Sequence, residues 1–137
     1  MNQPILWQPD EGRMKQSQMF EFLQLIDEKY HLPEPTYPAL HRWSVENIAD
    51  FWMEFWDYAQ ILSTHQYSQV VDGPSKMPGA KWFSGAKLNF AENLLQYRSD
   101  KIAIIFRSEN GSEKRISQRE LYNDVYRVAS GLKGWFK

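Results

Sequence analysis

The residues best placed for chemistry are four carboxylates, Glu46, Asp50, Glu54 and Asp57, spaced by four, four and three positions. On a helix that spacing puts them on one face, where carboxylates can exchange protons as general acid and base or hold a hard cation. Their face lies opposite the apolar stripe of the same segment, so a solvated acidic surface is expected. His31, His41 and His65 stand apart, with no partner at metal-ligand spacing; surface or capping roles are expected. Ser84, between Phe83 and Gly85, would need a base to become a nucleophile, and no motif places one. Lys114, Arg115, Arg119 and Arg127 form a basic cluster that could meet a phosphate. Glu113, Glu120 and Asp124 are at hand to pair with it instead.

Neither common phosphate-cradling loop occurs, since both G-x-x-x-x-G-K-[ST] and G-x-G-x-x-G are missing. G-x-S-x-G and H-E-x-x-H are missing too. Without cysteine there is no disulfide, thiol nucleophile or thiolate metal site. Sixteen Lys and Arg against seventeen Asp and Glu leave a net charge of −1 over 137 residues, no field for a nucleic-acid backbone or an anionic membrane. The longest apolar run, Ile102–Phe106, is five residues, against the roughly 20 of a membrane span. The first residues lack the charged and apolar regions of a secretory signal, and a cytoplasmic chain is expected. On these grounds no catalytic, cofactor-binding or metal residue is assigned.

Six Trp, seven Tyr and eight Phe predict a packed fold, mostly with core aromatics. Residues 1–12 read as an arm broken by Pro4, Pro9 and Gly12. From about Arg13, Met19, Phe22, Leu23, Ile26 and Tyr30 form one helical stripe, with Asp10 or Ser17 as cap and Pro33 and Pro35 as stop. Ser44 reads as the cap of a second helix, with Trp43 and Ile48 as a hydrophobic staple. Its apolar face is Ile48, Phe51, Trp52, Phe55, Ala59 and Leu62, with Trp56 and Tyr58 widening it or at its rim. Residues 63–88 are expected to be an ordered loop with an extended piece at Tyr67–Val71. Asn89 and Glu92 resemble a capping box for a short helix to about Tyr97.

The period then changes. Lys101–Arg107 predicts a strand covered on both faces, Asn110-Gly111 a two-residue hairpin with positive φ at both positions, and Glu113–Ile116 an edge-like return strand. Ser117 and Glu120 form a capping box for a helix to about Trp135, with Leu121, Val125, Val128, Ala129 and Leu132 as its apolar face. The fold class expected is α+β and mostly helical: N-terminal helices, an ordered loop, one β-hairpin and a C-terminal helix. A two-stranded hairpin is marginal by itself, and this strand suits the interior of a larger sheet. The chain therefore reads as an incomplete part of a larger α/β domain, with apolar faces that would drive self-association.

The stretch MPGAKWFSGAKLNFAENLL (Met77–Leu95) resembles the segment preceding the adenylating domain of short-chain acyl-CoA synthetases. The shared pattern W-F-x-G-x-x-L-N-x-x-x-N is met by Trp82, Phe83, Gly85, Leu88, Asn89 and Asn93. Trp43-Ser44-Val45 followed by Phe51-Trp52 is similar to that family's N-terminal helical region. Lys101–Arg107, the hairpin, and Ile116-Ser117-x-x-Glu120-Leu121-Tyr122 resemble the opening of its adenylate-forming domain. Trp7-x-Pro9 and Leu40-x-x-Trp43-Ser44 are most similar to its acetoacetate-activating members.

The resemblance implies domains at 1–97 (N-terminal helical region) and 98–137 (start of the adenylate-forming domain). The family activates an acid with ATP and Mg²⁺ and passes the acyl group to CoA, so those would be the cofactors of a parent enzyme. Its phosphate loop, adenylate and Mg²⁺ motifs and catalytic lysine have no counterpart before Lys137, and the chain is expected to be structural. The partner implied is the remainder of the synthetase. The matched residues read as architectural, or, for Trp82 and Asn89, as part of a CoA-side surface. The alternative is a free-standing regulatory or binding module that pairs with a full synthetase.

Overall fold

The computed structural model describes residues 7–135; the first six residues of the expected N-terminal arm lie outside that range. The two candidate caps are both used. Asp10 accepts the N–H of Arg13 at 2.9 Å and opens α1 (Glu11–Lys15). Ser17 accepts that of Phe20 at 3.2 Å and opens α2 (Gln18–Tyr30). A side-chain oxygen there satisfies one of the N–H groups a helix start leaves without a partner. His31 closes α2 in the left-handed region, at φ 52°, with its N–H on the Asp27 carbonyl.

Ser44 is not a cap. Thr36 starts a helix eight residues earlier, α3 (Tyr37–Glu46), with Pro38 in its first turn where no N–H is needed. Ser44 therefore lies inside α3 and donates its hydroxyl back to the His41 carbonyl at 2.8 Å. Trp43 sits in the same helix and rests its ring 4.7 Å from that of Tyr30. The next helix, α4 (Ile48–Tyr58), begins without a side-chain cap, because the Asn47 amide donates to the Trp43 carbonyl instead. Leu62, expected on its apolar face, lies past its end.

The loop expected at 63–88 contains a small antiparallel sheet, β1 (Gln69–Val71) with β2 (Trp82–Ser84). The extended piece is thus shorter than expected, and β2 has no periodicity that could announce it. Asp72 ties the intervening loop: its carboxylate accepts the Lys81 N–H at 2.9 Å and the Lys76 ammonium at 3.1 Å, which hold it below its ordinary pKa.

By their contacts the residues divide into two compact units, Met1–Ile61 with Gln66–Ala86 and Leu62–His65 with Lys87–Lys137. The first has a core of Phe22, Leu23, Ile26, Leu32 and Leu40. Phe22 meets Phe51 and Phe55 edge-on, each at 5.9 Å, so α4 docks on α2 through aromatic contacts. On the other side of α4, Trp56, Tyr67 and Phe83 pack within 5.3 Å of one another and seat β1 and β2. Trp56 is buried, not at a rim, because that sheet covers it. Phe83 takes φ 47°, a strained choice for a bulky residue, and the ring packing against Trp56 holds it there.

In the second unit α5 (Phe90–Leu94) is capped by Asn89, which accepts the Glu92 N–H at 3.1 Å, and it ends three residues before Tyr97. Asn93 clasps Leu62 with both ends of its amide, at 2.8 and 2.9 Å, as a strand partner would. The hairpin pairs β3 (Ile102–Arg107) with β4 (Glu113–Ser117). Its turn differs from expectation. Residues 108–112 form the connection, only Gly111 has positive φ (82°), and the Asn110 side chain accepts the Ser112 N–H at 3.0 Å. The extra residues let Asn110 stabilise the loop from a conformation it adopts without strain. The Ser117–Glu120 capping box is reciprocal: Ser117 Oγ accepts the Glu120 N–H at 3.2 Å, and Glu120 accepts the Ser117 N–H at 2.8 Å. It opens α6 (Gln118–Trp135). The fold is α+β and mostly helical, with two small antiparallel sheets among the described residues.

Candidate functional site

The four carboxylates do not share one helix, since Glu46 ends α3 while Asp50, Glu54 and Asp57 lie on α4, and they are not uniformly solvated. Glu46 and Asp57 are exposed and Asp50 half-buried, but Glu54 is only 5% exposed. Its carboxylate accepts from the Lys29 ammonium at 2.6 Å and the Tyr30 hydroxyl at 3.0 Å. These donors are consecutive residues in the last turn of α2. Glu54 lies on the flank of α4 that meets that turn, off the axis of the acidic face, and so is drawn inside. Burying an ionised carboxylate is costly unless charge and hydrogen bonds compensate it; here one oxygen takes the cation and the other the phenol.

This arrangement suits anchoring better than proton transfer. Burial first, then the bond to Glu54, pushes the Tyr30 phenol up to about 12. Its own bond to the Glu54 carboxylate raises the pKa of Lys29, which keeps its ammonium charged. Both donors are thus held protonated at neutral pH, and neither is poised to exchange a proton. No buried side-chain nitrogen or oxygen among the described residues lacks a hydrogen-bond partner, so none is held ready for a ligand. Trp43 and Arg42 line an adjoining cleft of about 450 Å³ that carries both signs of charge, Arg42 against Glu34 and Glu46.

The remaining candidates are dispersed. His31 ends α2, His41 is in α3, and His65 bridges to Lys87. Among the described residues no three His, Asp or Glu converge as a metal site. The Ser84 carbonyl receives the Ser68 N–H and hydroxyl, at 2.8 and 3.0 Å, which makes Ser84 a sheet residue. The basic cluster is paired in part as expected: Arg115 bonds Glu113 at 2.6 Å and Arg127 bonds Asp124. Arg119 pairs instead with Asp100, at 2.9 Å. Trp82 packs edge-on against Trp52, and the Asn89 side chain is engaged as the α5 cap.

The hairpin and α6 present an exposed surface. All six residues of β3 are exposed, Ile102, Ile104, Ile105 and Phe106 by 41–55%. Val128 and Leu132 of α6 are exposed by 63% and 52%. Contiguous apolar exposure of this kind marks a surface meant to be covered. Among the described residues no helix is long and apolar enough to cross a membrane.

Comparison with known proteins agrees with that geometry. Residues 37–94 match the family model for the acetyl-coenzyme A synthetase N-terminus. A malonamoyl-CoA synthetase of Penicillium aethiopicum is 42% identical over 136 residues, spanning 94% of this chain and 18% of that protein. An acetoacetyl-CoA synthetase of Gallus gallus is 34% identical over 137 residues, spanning 97% of this chain and 20% of that protein. The solved acetoacetyl-CoA synthetase from Streptomyces lividans superposes with a TM-score of 0.83 at 34% identity, over 99% of this chain and 21% of that one. The chain thus spans about a fifth of the length of the relatives it matches. Residues 37–94 are thus similar to the acetyl-coenzyme A synthetase N-terminus, and nearly the whole chain is similar to part of acetoacetyl-CoA synthetases.

Proposed function

We propose that this chain serves as the N-terminal part of a cytoplasmic, ATP-dependent acetoacetate-CoA ligase and that its own role is structural. In such a ligase the acetoacetate carboxylate attacks the α-phosphate of Mg²⁺-bound ATP and releases pyrophosphate. The CoA thiol then displaces AMP from the acyl-adenylate to give acetoacetyl-CoA. The observation that carries the reading is the superposition of 99% of the chain on an acetoacetyl-CoA synthetase. The saturated hydrogen bonding around Glu54 and the exposed apolar β3 support a structural part whose surface is completed by further chain.

The acid deserves a finer statement. Acetoacetate and malonamate both carry a carbonyl at carbon 3 and differ in a methyl against an amino group. Relatives named for each match this chain, so the substrate class is a short 3-carbonyl acid, with acetoacetate the member proposed. The test is a chimera in which this chain replaces the matching part of the Streptomyces lividans enzyme. AMP release that needs both acetoacetate and CoA is expected from the chimera and not from the chain alone. A folded but inactive chimera, or an active isolated chain, overturns the reading.

A further inference from the structure

We propose that Asn110 is a site of self-modification, at which the side-chain amide closes onto the Gly111 nitrogen, sheds ammonia and reopens with water as aspartate or isoaspartate. The loop between β3 and β4 assists the closure by holding the amide oxygen on two donors. The inference is independent of the proposed function.

The sequence supplies the pair. Of six asparagines only Asn110 precedes a glycine, the residue whose backbone nitrogen is least shielded. No atom lies within 4 Å of the place where a Gly111 side chain would begin, so the nitrogen is open to its neighbour. The structure supplies the setting. Asn110 Oδ1 accepts the Ser112 N–H at 3.0 Å and the Ser108 hydroxyl. The first of these bonds closes a ring through Asn110 Cγ and the Gly111 peptide, which folds the side chain back toward that peptide. Asn110 is exposed, so ammonia departs directly into water.

In the closure, Gly111 N gives its proton to a base in solution and its electron pair to Asn110 Cγ. Negative charge gathers on Oδ1 in the transition state, where both donors already point, and hydrogen bonds strengthen as their acceptor becomes charged. The Cγ–Nδ2 bond then breaks, the departing nitrogen takes up a proton as ammonia, and a cyclic imide remains. Water opens the imide at Cγ to give aspartate, or at the backbone carbonyl to give isoaspartate. One contact opposes the step, since the Gly111 N–H donates to the Ser108 carbonyl at 3.0 Å. The turn must release it first, and an exposed loop tip opens at little cost.

The two products differ in effect. Aspartate keeps an oxygen for Ser108 and Ser112, so the loop accepts it, with one more negative charge beside Glu109. Isoaspartate lengthens the main chain inside the rung from the Ser108 N–H to the Ser112 carbonyl, which loosens the end of the hairpin.

The test is peptide mass spectrometry of the chain incubated at mildly alkaline pH. It reads the mass gained when NH is exchanged for O, and retention separates aspartate from isoaspartate. Conversion at Asn110, with Asn47, Asn89, Asn93 and Asn123 intact, is the expected result. Ser108→Ala removes one donor but keeps the carbonyl that holds Gly111, and should slow conversion roughly fivefold, about the worth of one hydrogen bond. A loop that merely exposed an Asn-Gly pair would react as fast or faster once loosened. Ser108→Thr, which keeps the hydroxyl, should convert at the parent's rate. The inference is overturned if Asn110 stays intact in the chain while a peptide of residues 106–114 converts. It is overturned equally if Ser108→Ala matches or exceeds the parent's rate, or if Ser108→Thr is as slow as Ser108→Ala.

Discussion

All the buried residues among those described belong to the unit of α1–α4 and the β1–β2 sheet, while the unit of α5, the hairpin and α6 has none. Both units are rich in aromatic and β-branched residues, so composition does not separate them. The difference is how many layers each brings. In the first, α4 is covered on one flank by α2 and on the other by β1 and β2, and Phe22 and Trp56 are enclosed from two directions. In the second, the two strands meet α6, and among the described residues these layers close no core.

The comparison breaks most visibly in the closed unit. Phe22→Ala should destabilise the chain by about 3–5 kcal/mol in denaturant unfolding, as large-to-small changes in tight cores do; a loss below about 1 kcal/mol would mean the core is not closed there. Glu54→Ala should cost about 1–3 kcal/mol, because it strands the half-buried Tyr30 hydroxyl, while the exposed Lys29 ammonium returns to water. Glu54→Gln, which keeps an acceptor for Tyr30, should cost clearly less; equal losses would show that charge and not hydrogen bonding holds the anchor.

In the open unit the effects are smaller. Ser117→Ala should cost about 1 kcal/mol through the lost cap, seen as faster amide exchange at the start of α6. The bonds from Ser117 lower the pKa of Glu120, and Arg119 lowers that of Asp100. A depressed carboxylate pKa gives stability that is present above the unfolded value and lost as pH falls through the folded one. The hairpin and α6 should therefore loosen on acidification from about pH 4 downward, and amide exchange at β4 that stays flat across that range would contradict this. Ile104→Lys should change stability by less than about 0.5 kcal/mol, since the side chain is already exposed. The same substitution should reduce concentration-dependent association of the isolated chain in size-exclusion chromatography; a parent chain that stays monomeric at high concentration would show the open face to be inert.

Much of the fold was legible because it is written in local rules. Asp10, Ser17, Asn89 and the Ser117–Glu120 pair all cap helices, each through an oxygen placed within one turn of the N–H it serves. The failures were of two kinds. Ser44 has the residue type of a cap, but Thr36 had already begun a helix through it, and propagation along a started helix outcompetes a fresh start. β2 and the buried Glu54 depend on partners remote in sequence. Glu54 finds Lys29 at a separation of 25 residues, and the Ser84 carbonyl finds Ser68 at 16.

The sequence by itself determined where helices begin, where the period changes from helix to strand, and which family the aromatic and asparagine spacings resemble, because these follow from contacts a few residues long. Only the tertiary structure decided which flank of α4 would be buried, that one acid of four would become an internal anchor, and that β3 would stand exposed with a free edge. Burial belongs to the elements that meet, and no residue carries that information alone.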